Sequence, residues 1–189
     1  MTERGDYGDI LLVNTIDIYR HLPLKLLQCH QWYEKNYDVD SIMKTDDDCY
    51  VDIEQIFEKL QEFKNQNKTW WGNFRSEWMV ERHGKWKERD YTASVYPKFA
   101  CGSGNVISSD IHKWLVKNNN DLNLFQGEDV SMGIWLSSLV VKYVQNDSLM
   151  CNKTCMIESP PLVVPEIDIM ELKAFWKNKL KCNNPCLCK

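Results

Sequence analysis

No run of about 18 apolar residues occurs in the 189-residue chain, so its sequence contains no membrane-spanning helix. A basic excess is absent too. The net charge is -4 and the isoelectric point lies near 5.6, whereas a nucleic-acid-binding domain would carry a basic stripe. Nucleic acid is therefore not an expected partner. The opening stretch, "MTERGDYGDILLVN", lacks the apolar core and small-residue cleavage site of a secretory leader. There is no internal repeat and no low-complexity tract. "CGSGN" has two glycines without the third of a G-x-G-x-x-G fingerprint, and it follows an aromatic segment instead of opening a first βα unit, so a dinucleotide motif is rejected. The histidines, His21, His30, His83 and His112, form no cluster in the sequence, and no catalytic or ligand role is assigned to them.

Against these absences stand a hydrophobic content of 43% and eight tryptophans, enough for one globular domain with a substantial core. The chain also has eight cysteines. Those of the C-terminal part stand in "CNKTC" (Cys151, Cys155) and "CNNPCLCK" (Cys182, Cys186, Cys188). Two readings compete there, a lumenal disulfide framework and a zinc site; the loose C-x-x-x-C spacing favours disulfides. Three N-glycosylation sequons begin at Asn67, Asn146 and Asn152 and agree with a lumenal protein, although an Asn-rich chain yields one or two by chance. A lumenal protein with no visible targeting segment is expected to be preceded by further chain.

The element pattern reads as α/β. "GDILLVN" is expected to be a buried strand. "HLPLKLLQCHQWYEKN" is expected to be a helix with Pro23 in its first turn and an apolar stripe of Leu22, Leu26, Cys29 and Tyr33. "VDSIMKT" is a second strand, ending in Asp46, Asp47 and Asp48. From Asp52 a helix follows, capped by Asp52 with Gln55 in the capping-box position and burying Ile53, Ile56, Phe57 and Leu60. This alternation implies a parallel-type sheet with right-handed crossovers, and in such sheets ligands gather at the carboxyl ends of strands. The aromatic segment after Lys68 is expected to hold strands and a long exposed loop. "CGSGN" should be a glycine turn before a short helix capped by Ser109, and "GEDVSMGIWLSSLVV" a helix with Glu128 and Asp129 in its first turn. The final 40 or so residues are expected to be irregular.

Three adjacent carboxylates repel one another, so something must offset their juxtaposition. The bland answer is a solvated acidic turn that caps the next helix. Placement at a strand end makes a Mg²⁺ or Mn²⁺ diphosphate site an equal contender, because hard carboxylate oxygens suit those ions. A calcium loop is excluded by the missing glycine, while an aspartate-nucleophile phosphatase stays possible. Glu128 and Asp129 have a bland reading as well, as complements to the helix dipole. Gly133 permits close backbone approach or tight helix packing.

Taken in order, "YGDILLVNTIDIYRHLPLKLL", "MKTDDDCYVD", "YPKFACGSGNVIS" and "GEDVSMGIWL" resemble the β-1,3-glycosyltransferases of family 31. "WWGNFR", "GKW", "DIHKWL", "DSLMCNKTC" and "CNNPCLC" narrow that resemblance to members that transfer GalNAc. It covers nearly the whole chain. What it implies is a GT-A, Rossmann-like fold and an inverting, metal-dependent transfer of a sugar, GalNAc foremost, from a UDP-sugar to the 3-hydroxyl of a GlcNAc-type acceptor on a glycoprotein. Asp46 and Asp48 become the Mn²⁺ (or Mg²⁺) contacts, with Lys44, Asp47, Gly102 and Gly104 also assigned to the donor. The base falls on Asp129, with Glu128 beside it. Trp86 and Tyr96 are assigned to the acceptor. The resemblance further implies residues 1–150 as a partial catalytic domain lacking its first nucleotide-binding units, and residues 151–189 as a cysteine-rich extension packed on it. The full-length protein would be a type II membrane protein of the Golgi or endoplasmic reticulum lumen. One departure is that no histidine after His112 is available as a downstream metal ligand. The rival reading is a non-catalytic carbohydrate-binding or scaffold protein derived from the same fold.

Overall fold

The computed structural model describes residues 2–63, 66–155, 159–186 and 188. A short helix α1 (Thr2–Tyr7) leads through an extended stretch to α2 (Leu22–Asn36) and strand β1 (Ser41–Thr45). Then come β2 (Tyr50–Val51), α3 (Ile53–Leu60), β3 (Thr69–Arg75), β4 (Phe99–Ser108), α4 (Ser109–Asn118) and α5 (Glu128–Leu136). The chain closes with β5 (Lys142–Gln145), β6 (Val163–Val164) and α6 (Ile169–Cys182).

The main sheet has the order β1-β4-β3-β5; β4 runs antiparallel to both its neighbours, and only β3 and β5 are parallel. The expected parallel sheet is thus a mixed one. A second, two-stranded sheet pairs β2 with β6. Successive residues of a strand point to opposite faces, and here each face has its own core. Trp70 and Ile107 face α2, α4 and α5 with Leu27, Ile111, Leu115 and Leu136. Trp71 and Val106 face the other way, against Ile56, Leu149, Leu162 and Val163. The adjacent tryptophans therefore divide between two cores, which is why the aromatic run showed no helical period.

Several expectations need correction. "GDILLVN" forms no strand: no described strand lies beside it, and Ile10 and Leu12 are exposed. In α2 the buried residues are Pro23, Leu27 and His30, a stripe rotated by one residue from the one expected; Tyr33 is exposed. Asp52 does cap α3, accepting the Gln55 N–H at 3.2 Å, but the Gln55 side chain reaches the Asp52 carboxylate, since the Asp52 N–H already donates to Leu162 O. Only Ile56 of that helix is buried; Ile53 and Phe57 face solvent. Ser108, not Ser109, is the residue preceding α4, and its hydroxyl is engaged with Asp110 and the Thr69 N–H. The last stretch is not irregular either. Asp168 and Glu171 form a full capping box at the start of α6.

The zinc alternative is overturned by disulfides Cys101–Cys151, Cys155–Cys186 and Cys182–Cys188, which consume all five tail thiols and recruit Cys101 from β4. His30 and His112 do meet: their Nδ1 atoms lie 3.0 Å apart between α2 and α4, fully buried. The spacing of 82 residues hid that pair from the sequence.

Candidate active site

"CGSGN" is a bulge inside β4, not a turn. Gly72 pairs with Asn105 while Phe74 pairs with Ala100, so residues 101–104 stand opposite Asn73 alone. Such a bulge re-aims the backbone. It turns Gly102 toward the end of β1 and Cys101 toward Cys151. A Cβ on Gly102 would lie 3.1 Å from Glu128 Oε1, 3.4 Å from Lys44 Nζ and 3.6 Å from Asp46 Oδ2, so the residue forms the floor of a charged cluster. Gly104 is not brought there; its Cα faces Val163, only 2.9 Å from where a Cβ would sit.

Lys44 is the hub. Its Nζ donates to Asp46 Oδ1 at 2.5 Å, to the Gly102 carbonyl at 2.5 Å and to Glu128 Oε1 at 2.7 Å. Burial works against the ammonium, but Glu128 and Asp46 outweigh it and raise its pKa. Burial also raises the Asp46 pKa; Lys44 pulls it down, while Glu128 and Asp48 push it further up. One ammonium thus serves a crowd of carboxylates, and the surplus negative charge suits a cation. Oxygens of Asp46 and Asp48 and the Cys49 sulfur all lie within 4.8 Å of one another. Cys49 was not anticipated as a member of this group; only its adjacency to the aspartates hinted at it. Asp47 is exposed and, with Asp46, Asp48 and Lys44, lines an open cleft against the start of α2.

Glu128 and Asp129 do sit in the first turn of α5 and point apart. Glu128 is buried on Lys44, whereas Asp129 lines a second cleft of about 290 Å³ together with Arg75, Trp78, Trp86 and Tyr96. Burial, then the neighbouring Glu128 carboxylate, raise the Asp129 pKa to about 6, against the pull of the Val130 N–H, Lys44 and Arg75. Gly133 serves the packing: a Cβ there would come within 2.7 Å of Phe99 Cβ, so its absence lets α5 lie against β4 and fixes Asp129 at the cleft.

The aromatic loop that walls this cleft is tied to the segment just before α5 by Glu88, a fully buried carboxylate overlooked in the sequence. Glu88 accepts the N–H groups of Asp90 (2.5 Å), Tyr91 (3.2 Å) and Gln126 (2.7 Å). Burial opposes its ionisation, but these bonds and Arg20 prevail and hold its pKa low. Arg20 extends the tie through an ion pair with Asp90 and a 3.3 Å bond to Gln126. Trp86 keeps its indole partly exposed against Tyr19, at 4.8 Å between ring centroids, while Tyr96 is buried and stacks on Tyr91. Two clefts, one acidic and one aromatic, therefore meet across the Lys44–Glu128 pair and Asp129.

The domain thus brings an acidic strand end to face a helix that opens on two carboxylates, and comparison with known proteins supplies its family. Residues 1–147 match the family described as Galactosyltransferase, and the chain belongs to that family. It is 45% identical over 187 residues to UDP-GalNAc:beta-1,3-N-acetylgalactosaminyltransferase 2 of Xenopus tropicalis, covering 98% of this chain and 38% of that protein. The Homo sapiens protein of the same name is 45% identical, with 98% and 37% covered. A hydroxyproline O-galactosyltransferase of Arabidopsis thaliana is 34% identical over 195 residues, 95% of this chain and 27% of its own length. The chain thus spans less than two fifths of the first two relatives.

Proposed function

We propose that this chain forms the metal- and acceptor-binding part of an inverting β-1,3-N-acetylgalactosaminyltransferase of GT-A fold. It passes GalNAc from UDP-GalNAc to the 3-hydroxyl of a GlcNAc-type acceptor on a glycoprotein. The observation that carries the reading is Lys44, whose ammonium binds Asp46 on one side and Glu128 on the other and so joins the two acidic loci. The 45% identity to two GalNAc transferases supports the donor. Residues 151–189 are taken as an extension of the same unit, and the disulfides suit a secretory-pathway lumen.

Each group has a task in this scheme. Asp129 accepts the proton of the acceptor hydroxyl as that oxygen attacks the anomeric carbon, and a carboxylate with a pKa of about 6 is ionised yet basic enough near neutrality. Glu128 holds Lys44 and so keeps Asp46 in place. Asp46 and Asp48 supply the hard oxygens that suit Mn²⁺ or Mg²⁺, with the Cys49 sulfur in reach. When bound, such an ion neutralises the charge that develops on the departing diphosphate. Asp47, Gly102 and Gly104 complete the donor side, Gly104 by supporting the bulge from behind. Trp86 presents its partly exposed ring to the acceptor sugar, while Tyr96, buried against Tyr91, backs the wall of that cleft.

Calorimetric titration of UDP into the full-length protein, with Mn²⁺ and then with EDTA, tests the scheme. Binding that requires Mn²⁺ and vanishes in Asp48→Asn is expected. Equal UDP binding with and without the ion would refute the metal role of the aspartates.

A further inference from the structure

The three sequons differ in a way that only the folded chain reveals. Asn146 is half-buried at the end of β5; its Oδ1 accepts the Ser148 N–H at 2.9 Å and its own N–H donates to the Gly72 carbonyl at 2.9 Å. Asn152 is exposed but lines the same cleft as Asp129, where an oligosaccharide would fill the approach to that carboxylate. Asn67 stands elsewhere. It is exposed on the turn that leads into β3, and it rims a separate groove of about 620 Å³.

That turn is held firmly by its neighbours. Lys68 has φ 54°, its N–H donates to both Asp110 oxygens at 3.0 and 2.8 Å, and its carbonyl accepts the Lys142 N–H at 2.6 Å. Thr69 Oγ, the sequon hydroxyl, donates to the Asn67 carbonyl at 3.3 Å. The Asn67 side-chain amide makes no hydrogen bond among the described residues, so nothing is lost when it is substituted. The groove beside it has mixed walls, apolar at Phe57, Leu60 and Phe63 and polar at Asp40, Gln61 and Gln66, and Phe57 is 65% exposed. Such a wall suits a sugar, whose C–H face can lie on the exposed Phe57 ring while its hydroxyls meet the polar side chains.

We propose that Asn67 carries an N-linked glycan whose first sugars lie over this groove, with their C–H faces on Phe57. The inference rests on the secretory-pathway reading above. In the transfer, the Asn67 Nδ2 attacks the anomeric carbon of a lipid-diphosphate-linked oligosaccharide. The N–C bond forms as the carbon–oxygen bond to the diphosphate breaks, the lipid diphosphate leaves, and the amide proton passes to a base of the oligosaccharyltransferase. Thr69 is buried in the folded domain, which places this step before folding is complete.

The test is glycosite mapping of the full-length protein from a eukaryotic secretory host, by PNGase F release in heavy-oxygen water. The Asn67 peptide is expected to convert to a labelled aspartate, and Asn67→Gln should lose one glycan in intact mass. Thr69→Ser, which keeps the hydroxyl, should retain it. Asn67→Gln should also bind more of an apolar dye such as ANS. A bare Asn67 in folded protein from that host overturns the proposal, and unchanged dye binding overturns the contact with the groove. Mapping reads mass, not transfer. An active enzyme with a bare Asn67 therefore defeats this inference alone, whereas a glycosylated protein that neither binds UDP nor transfers defeats the transferase reading.

Discussion

Lys44 holds three partners with three donors, and nothing else among the described residues stands between Asp46 and Glu128 to neutralise them. Removing the ammonium while keeping its volume, as in Lys44→Met, leaves two part-buried carboxylates facing each other. A lost charge-assisted pair of this kind is worth about 3 kcal/mol, so the donor kcat/KM should fall by about 100-fold. UDP release measured across donor concentrations checks this, and an unaltered kcat/KM would show that Lys44 only decorates the cleft. Asp129 makes a separate prediction. Its pKa of about 6 belongs to the folded site, so the base is protonated, and idle, below that pH. The acceptor kcat/KM should therefore rise with an apparent pKa near 6 and level off above it. In Asp129→Asn the activity should drop by roughly 10²–10⁴, and the acid limb should disappear with it. A limb that survives in the variant would assign it to another group.

At the scale of elements, what the sequence told depended on whether the signal was local. The cap at Asp52, the strand that ends at the aspartates and the acidic opening of α5 are written within a few residues, and each is seen in the structure. The buried face of α2 was misread by one residue because its core position is taken by His30, a polar residue whose partner lies on α4. Lys179 was missed for the same reason, a distant partner, and Glu88 in part: two of its N–H donors, Asp90 and Tyr91, are local, but the third, Gln126, lies 38 residues away. Lys179 of α6 reaches Asp52 at 2.6 Å, and both side chains are buried, so one contact fastens α6 to the start of α3. Lys179→Met strands the Asp52 carboxylate and should destabilise the fold by about 3–5 kcal/mol, read as a lower urea midpoint. Adding Asp52→Asn should restore part of that loss. The histidine pair predicts a pH effect between α2 and α4. Burial, then the charge of His112, lower the His30 pKa to about 3; burial lowers that of His112 too, against Glu34 and with Lys113. The unfolded chain then binds more protons, so stability is complete above about pH 6.5 and lost as pH falls, by about 2 kcal/mol for His30 alone at pH 5. Urea titrations in that window check it; a His30→Leu, His112→Leu protein should show a flatter slope.

Across the whole molecule, sheet order and disulfide pairing were the least legible features, since both are decided by which distant segments meet. The motif order pointed to the family, yet the strand–helix alternation of the sequence was misleading about direction: three of the four main strands form an antiparallel set around β4. What links that sheet to the C-terminal part is Cys101–Cys151. It closes a loop of 50 residues and starts from the same bulge that presents Gly102 to Lys44. Loop closure of that length is worth about 4 kcal/mol in the chain-entropy account. Cys182–Cys188 closes only 6 residues at the end of α6, far from the site in the chain, and is worth about 2 kcal/mol on the same account. Replacing the first pair by serines should therefore lower the thermal midpoint more than replacing the second. Only the first replacement should also lower the donor kcat/KM at a temperature where both proteins remain folded, because only there is the carbonyl under Lys44 released. Equal activity of the two folded variants would mean that pairing with β1 and β3 holds the bulge without its covalent anchor.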